Sequence, residues 1–206
     1  MKNFRIVSLC PSTTLTLFDL GLGTSLVGRT KYCIKPENEV GNVESVGGTK
    51  NPNWQRIAAL NPSHILFNME ENEADDLAKA QAICKTLVDT PVDIDTTLQQ
   101  LKNFAEIFGV YDQAIEWQNK ILDKLNELQS IAKTDFSFLY FIWDKPKMLA
   151  GRGTYIDALL SAVGGRNLAL IFSEERYPKM SEGFSSKADV VFLSSEPFHY
   201  QEKHIP

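Results

Sequence analysis

Residues 112–132, DQAIEWQNKILDKLNELQSIA, decide how the rest of the chain is read. Ala114, Trp117, Ile121, Leu125, Leu128 and Ala132 recur at spacings of three and four, so they share one face of a helix. Asp112 is placed to cap its first turn, and Gly109 separates it from a shorter periodic run, Leu98 to Phe108. Neither Pro nor Gly interrupts the stretch, and Lys124, Glu127 and Gln129 fall largely on the other side. At about 1.5 Å per residue it spans roughly 30 Å, the width of a small domain. Strand-and-helix patterns lie on both sides of it, and it is much longer than a usual connection inside a compact domain. The stretch reads as a rigid strut between two α/β lobes. One ordinary helix of a single domain is the alternative.

Working outward, the 206 residues suffice for one large domain or two small lobes with a real core. Hydrophobic residues at 43% and aromatics at 10% exclude a disordered chain. A net charge of -5, with no dense basic run, argues against a nucleic-acid or anionic-membrane surface. Cys10, Cys33 and Cys84 form neither a CxxC pair nor a disulfide framework, so reduced buried thiols are expected. No stretch approaches the roughly 20 apolar residues of a membrane span. The start, MKNFRIVSL, is too short in its apolar part for a signal peptide and runs on into a strand. A cytoplasmic protein and a protein whose leader precedes Met1 both fit.

Before the strut, strands are expected at Arg5–Leu9, Leu26–Gly28, His64–Asn68 and Val88–Ile94. Helices are expected at Ser12–Leu20, Asn53–Leu60 and Glu70–Thr86, with Thr30–Lys50 mostly loop. Glu70, Glu71, Glu73, Asp75 and Asp76 crowd the start of that third helix, which suits its dipole. After the strut come the apolar strand Phe136–Trp143, a loop with Pro146, Gly151 and Gly153, and a helix Tyr155–Val163. A weak extended piece at Ala169–Phe172, an irregular segment Tyr177–Lys187 and a strand Val190–Ser194 complete the chain. The predicted fold class is α/β, with two Rossmann-like lobes of mostly parallel strands bridged by one long helix. The boundaries are a first lobe at 1–96, a helical linker at 97–133 and a lean second lobe at 134–206, with about two clear strands against four.

No catalytic or metal constellation is legible. His64 enters a strand, and His199 and His204 stand five apart in a tail, which is no zinc spacing. CPSTT at 10–14 lacks the flanking glycines of a nucleophile elbow, and Ser12, Thr13 and Thr14 read better as a helix cap. The free amides of that helix start could also meet an anionic part of a ligand. GLG at 21–23 follows a helix and lacks the third glycine of a dinucleotide fingerprint. GRGT at 151–154 lacks the Lys-Ser/Thr ending of a phosphate loop.

Several segments, taken in order, carry a resemblance. RIVSLCPSTT (5–14), LGLGTSLVGRTKYC (20–33), VGGTKNPNWQRIAALNPSHILF (46–67), WDKPKMLAGRGTYIDALL (143–160) and GGRN (164–167) resemble the substrate-binding proteins of cobalamin and iron-siderophore ABC importers. The likeness is collinear over nearly the whole chain and is closest to the cobalamin-binding branch. It implies two α/β lobes on one long helix, a ligand cleft between them, and a non-enzymatic monomer that hands its cargo to an ABC permease. No cofactor is then held covalently; a corrinoid or other metal chelate is the cargo, its metal held by its own macrocycle. By resemblance the location is extracytoplasmic.

Carried over residue by residue, Tyr32 matches an aromatic position that packs on the corrin, and Asn68 and Met69 match a ligand loop that is aromatic in some members. Trp143, Met148, Gly151, Arg152 and Tyr155 match the second-lobe loop, where flat rings suit a macrocycle. The resemblance also implies an acidic permease-docking residue on each lobe: Glu70, Glu71, Glu73 or Asp75 on the first, Glu174 or Glu182 on the second. The sequence departs from the family pattern at Leu15, where Glu is common, and at Tyr177–Lys187, which is shorter and more irregular. It ends at EPFHYQEKHIP, where relatives continue, so part of the second-lobe cleft wall is expected to be missing. A corrinoid- or haem-handling protein without a permease and an α/β enzyme are the rival readings.

Overall fold

The structure is a computed structural model and describes residues 3–131, 135–171, 173–180, 188–195 and 198–204. Ala132, Lys133, Phe172 and residues 181–187, with Glu182, lie outside the described residues. The chain divides into two compact units, one of Met1–Thr90 with Gln99–Trp117 and one of Pro91–Leu98 with Gln118–Pro206.

In the first unit, strands β1 (Ile6–Ser8), β2 (Leu26–Arg29), β3 (Glu44–Ser45), β4 (His64–Phe67) and β5 (Lys85–Val88) form a wholly parallel sheet. Their order is β3-β2-β1-β4-β5, so the winding direction reverses between β1 and β4. Parallel strands covered on both faces read as continuous apolar runs. Ile6 and Val7 accordingly point opposite ways and are both fully buried. Val7, Leu9, Val46, Ile57, Ile65, Phe67 and Ala80 make one contiguous cluster. The unit also holds helices α1 (Pro11–Asp19), α2 (Glu37–Val40), α3 (Trp54–Ala59) and α4 (Leu77–Ile83). α2 and β3 interrupt the stretch expected to be loop.

Four local expectations are corrected here. The long acidic helix Glu70–Thr86 is instead a turn at 68–72, a 3-10 turn at Ala74–Asp76 and the short α4. The strand expected at Val88–Ile94 begins earlier, as β5. Pro91 cannot donate to a ladder, and Asp93 caps the next helix by accepting from the Thr96 amide at 2.8 Å, so 89–93 turns. Ser12, Thr13 and Thr14 do not cap α1: Cys10 is the cap residue, Pro11 opens the helix, and no side chain caps it. Asp112 lies inside the first turn of its helix, where the Ala114 amide bonds the Val110 carbonyl at 3.0 Å.

Helix α5 is Ile94–Phe108 and α6 is Tyr111–Ile131. Residues 111–117 of α6 belong to the first unit and 118–131 to the second. Ala114 is buried and Trp117, Ile121 and Leu125 are half-buried, but Leu128, read as part of the same stripe, is exposed. Trp117 donates its indole N–H to the Asp19 carbonyl at 3.0 Å.

The second unit is organised on β6 (Phe136–Trp143). It pairs in parallel with β8 (Gly165–Asn167) and β9 (Val190–Leu193) and antiparallel with β7 (Met148–Leu149). Among the described residues, four strands therefore stand where about two clear ones were expected. Helix α7 is Tyr155–Ala162, and the piece expected to be extended at Ala169–Phe172 is a 3-10 turn over Leu168–Ile171. Leu139, Phe141, Leu149, Leu168 and Ala169 form its core.

Candidate functional site

In an open parallel sheet, ligands bind outside the carboxyl ends of the strands where the winding reverses. In the first unit that point lies between β1 and β4. Asn72 organises it. Its side-chain amide donates to the Leu9 carbonyl at 3.0 Å and the Thr49 carbonyl at 2.9 Å, and its Oδ1 accepts from the Asn68 amide at 2.8 Å. One buried side chain thus fastens the loops after β1, β3 and β4. Beside it, the Thr14 hydroxyl lies 2.9 Å from Ser8 Oγ, 3.0 Å from the Cys10 carbonyl and 3.1 Å from Cys33 Sγ. Burial pushes the Cys33 thiol above its ordinary pKa, partly countered by the hydroxyls of Thr14 and Thr30.

This buried framework holds Tyr32 outward on the turn after β2, closed by the Cys33 amide on the Thr30 carbonyl at 3.1 Å. Tyr32 is 53% exposed, with the Lys31 ammonium 5.0 Å from its ring centre. The loop after β3 lies against that ring through Gly48, where a Cβ would stand 3.5 Å from the ring and 2.3 Å from Asn51 Oδ1. Met69 is also exposed, its amide held by Thr90 Oγ1 at 3.1 Å. Asn68 is different. It is buried, and its Oδ1 accepts from the Glu70 and Glu71 amides at 2.9 and 3.1 Å, so it shapes the turn that presents Met69. Glu70, Glu71 and Glu73 are exposed along the same loop, with Lys50 3.6 Å from Glu73 and on the Glu70 carbonyl at 3.1 Å.

In the second unit, the carboxyl end of β6 turns back as a hairpin that pairs Trp143 with Met148. Trp143 is 40% exposed, and its indole donates to the Lys145 carbonyl at 3.1 Å. Asn167 is the local clamp: it donates to the Ala150 carbonyl at 3.0 Å and Asp157 Oδ1 at 2.8 Å, and accepts from the Ala169 amide at 2.9 Å. Gly151 lets residues 175–176 approach, since a Cβ there would lie 2.4 Å from the Glu175 carbonyl. Thr154 caps α7 by accepting from the Asp157 amide at 3.2 Å. Tyr155 follows, exposed, its hydroxyl 3.5 Å from Thr97. Arg152 is exposed with Glu174 at 4.0 Å, and Met148 is half-buried.

Trp143, Met148, Arg152 and Tyr155 therefore cluster in one stretch of the second unit, and Tyr32 and Met69 share the carboxyl edge of the first. Sequence reasoning missed Asn72, which sat inside the presumed acidic helix, and the clamp role of Asn167. It also missed that Phe198 packs 5.7 Å from Trp143 and 4.7 Å from Tyr200. The aromatic spacing F-x-Y at 198–200 was the available signal. Among the described residues, no three His, Cys, Asp or Glu side chains cluster to hold a metal, and no helix is long and apolar enough to cross a membrane.

A family model described as periplasmic binding protein matches residues 6–203. The uncharacterized ABC transporter substrate-binding lipoprotein YvrC of Bacillus subtilis is 29% identical over 181 residues, covering 80% of this chain and 55% of that protein. The vitamin B12-binding protein of Yersinia pestis is 28% identical over 178 residues, covering 84% and 62%. The chain thus spans 55% to 62% of the length of these curated relatives. Among solved structures, the periplasmic vitamin B12-binding protein of Vibrio cholerae superposes with a TM-score of 0.79 at 22% identity, over 92% of this chain and 76% of that one. The haem complex of IsdE from S. aureus gives 0.78 at 19% identity, over 92% and 75%. At these identities the structural likeness establishes the fold.

Proposed function

The chain belongs to the periplasmic binding protein family, and from that premise we propose that it captures a metal-chelate ligand, a corrinoid of the cobalamin type, for an ABC importer. The observation that carries this reading is the outward placement of Tyr32, Trp143 and Tyr155, each more than a third exposed, above clamped carboxyl-edge loops. Large flat rings held at little further entropic cost suit a macrocycle. In this reading Tyr32 and Met69 of the first unit, and Trp143, Met148, Arg152 and Tyr155 of the second, contact the ligand, and Asn68 positions Met69. The protein supplies stacking and a few polar contacts rather than catalysis, and the ligand brings its own metal.

Haem is the second reading, favoured by the exposed phenols of Tyr32 and Tyr155 and the exposed thioether of Met69. Glu70, Glu71 and Glu73 present an acidic surface to a permease, and the location is extracytoplasmic. The test is calorimetric and visible-absorbance titration with cyanocobalamin, haemin and a ferric siderophore. One-to-one cobalamin binding is expected. Tight binding of haemin alone selects the second reading, and silence with all three overturns both.

A further inference from the structure

Beyond β9 the chain reads FHYQEKH at 198–204, and three of its rings, Phe198, Tyr200 and His204, pack on one another. Ser194 sets where they go. It is buried just past β9, and its amide bonds the Phe141 carbonyl of β6 at 3.1 Å. Its hydroxyl donates to the Phe198 carbonyl at 3.3 Å, and its own carbonyl accepts from the Tyr200 amide at 3.2 Å. A second fastening follows, where the Gln201 carbonyl accepts from the His204 amide at 2.8 Å and His204 Nδ1 accepts from the Gln201 amide at 2.9 Å. The segment is thereby folded back on the carboxyl end of β6, with Tyr200 6.5 Å from Phe141.

Phe198 stands at the centre of this group. Its ring centre is 4.7 Å from Tyr200, 5.2 Å from His204 and 5.7 Å from Trp143, at interplanar angles of 73°, 64° and 63°. Such edge-on pairs are favoured by the ring quadrupoles and contribute beyond their buried area. Trp143 is thus held twice, by its indole N–H on the Lys145 carbonyl at 3.1 Å and by Phe198. It is nevertheless 40% exposed, so part of the indole stays open. A ring fixed in this way loses little further freedom when a ligand settles on it, and contact residues depend on such supports to keep their productive rotamer.

We infer that Phe198 is a positioning residue for the ligand site: it holds Trp143 in the orientation in which the indole receives the ligand, and it acts on binding through Trp143. That role presupposes the metal-chelate ligand proposed above. Tyr200 backs Phe198 as a ring rather than as a polar group, since its buried hydroxyl has no hydrogen-bond partner among the described residues.

Two readouts on the full chain test this. One is tryptophan emission without ligand. The other is calorimetric titration with the one of cyanocobalamin, haemin and a ferric siderophore that the wild type binds. Phe198→Ala is expected to shift the emission and raise its quenching by acrylamide, and the change is expected to vanish in a Trp143→Phe background, where Trp54 and Trp117 remain. In the titration Phe198→Ala should weaken binding by about threefold to tenfold, the worth of one edge-on pair. Phe198→Tyr should restore it, and Phe198→Ala should add nothing to Trp143→Ala. Phe198→Leu, which fills the space without the aromatic edge, should weaken binding too, and it holds the test open should Phe198→Ala fail to fold. A folded Phe198→Ala or Phe198→Leu with unchanged emission and affinity overturns the inference while leaving the ligand reading intact. So does a loss as large in the Trp143→Ala background, because Phe198 would then act without Trp143. A wild type that binds none of the three overturns the ligand reading, and the role of Phe198 falls with it.

Discussion

The carboxyl edge of the first unit is drawn together from four loops far apart in sequence, whereas that of the second comes mainly from one stretch, residues 143–157. Both edges rest on a buried asparagine. Asn72 spans the loops after β1, β3 and β4, and Asn167 ties the Ala150 carbonyl to Asp157 and the Ala169 amide. An amide suits this task because it both donates and accepts, and so satisfies backbone groups that no ladder reaches. The difference lies in what each clamp must hold. Loss of Asn72 releases long-range contacts; loss of Asn167 loosens a locally encoded hairpin and helix start.

The largest expected effect follows from that contrast. Asn72→Ala leaves the Leu9 and Thr49 carbonyls and the Asn68 amide unpaired, so it should cost about 3 kcal/mol of stability. Asn167→Ala should cost about 2 kcal/mol, because part of its network reaches the charged and less buried Asp157. Urea titration of each variant measures the order, and the reverse order would show that Asn167 holds the more costly network. Next, Gly151→Ala should destabilise by about 1–3 kcal/mol, since the Cβ meets the Glu175 carbonyl backbone at 2.4 Å. Gly48→Ala should cost less, because the atom in its way is the side-chain oxygen of Asn51, which can move. Thermal unfolding of the two variants checks this.

The smallest effects are those of pH. Cys33 has a raised pKa in the folded state through burial, so its contribution to stability is present below the unfolded thiol pKa and is lost as pH rises through the folded one. Cys33→Ser should flatten the alkaline decline. Asp189, in the second unit, accepts from the Ser137 hydroxyl and amide, which lower its pKa. Its contribution is present above the unfolded carboxyl pKa and is lost as pH falls through the folded one. Asp189→Asn should flatten the acid limb instead. Stability measured from acid to alkaline pH separates the two, and exchanged limbs would contradict both assignments.

The same contrast governs how much could be read from the sequence. β6 and α6 are legible because each is a long unbroken run, and the loop and helix after β6 because Pro146, Gly151 and Gly153 are local turn signals. The boundary between α4 and β5 was not. Five acidic residues mimic a helix start, yet the Asn68–Asn72 turn is set by bonds to the loops after β1 and β3, more than 20 residues away. β8 was hidden because Gly164-Gly165 reads as a turn, and its strand character comes from pairing with β6. As ligand residues, Tyr32, Met69, Trp143, Met148, Arg152 and Tyr155 are all picked out by resemblance alone. Nothing local says that a tyrosine after a short strand stays exposed.

We propose that Tyr32 and Trp143 each contact the bound ligand. Calorimetric titration with cyanocobalamin of the wild type, Tyr32→Ala, Trp143→Ala and the double variant tests it most directly. Each single change should weaken binding by about tenfold to a hundredfold with one-to-one stoichiometry kept, and folding intact by circular dichroism. Tight binding unchanged by Tyr32→Ala or by Trp143→Ala would show that the ring in question does not touch the ligand.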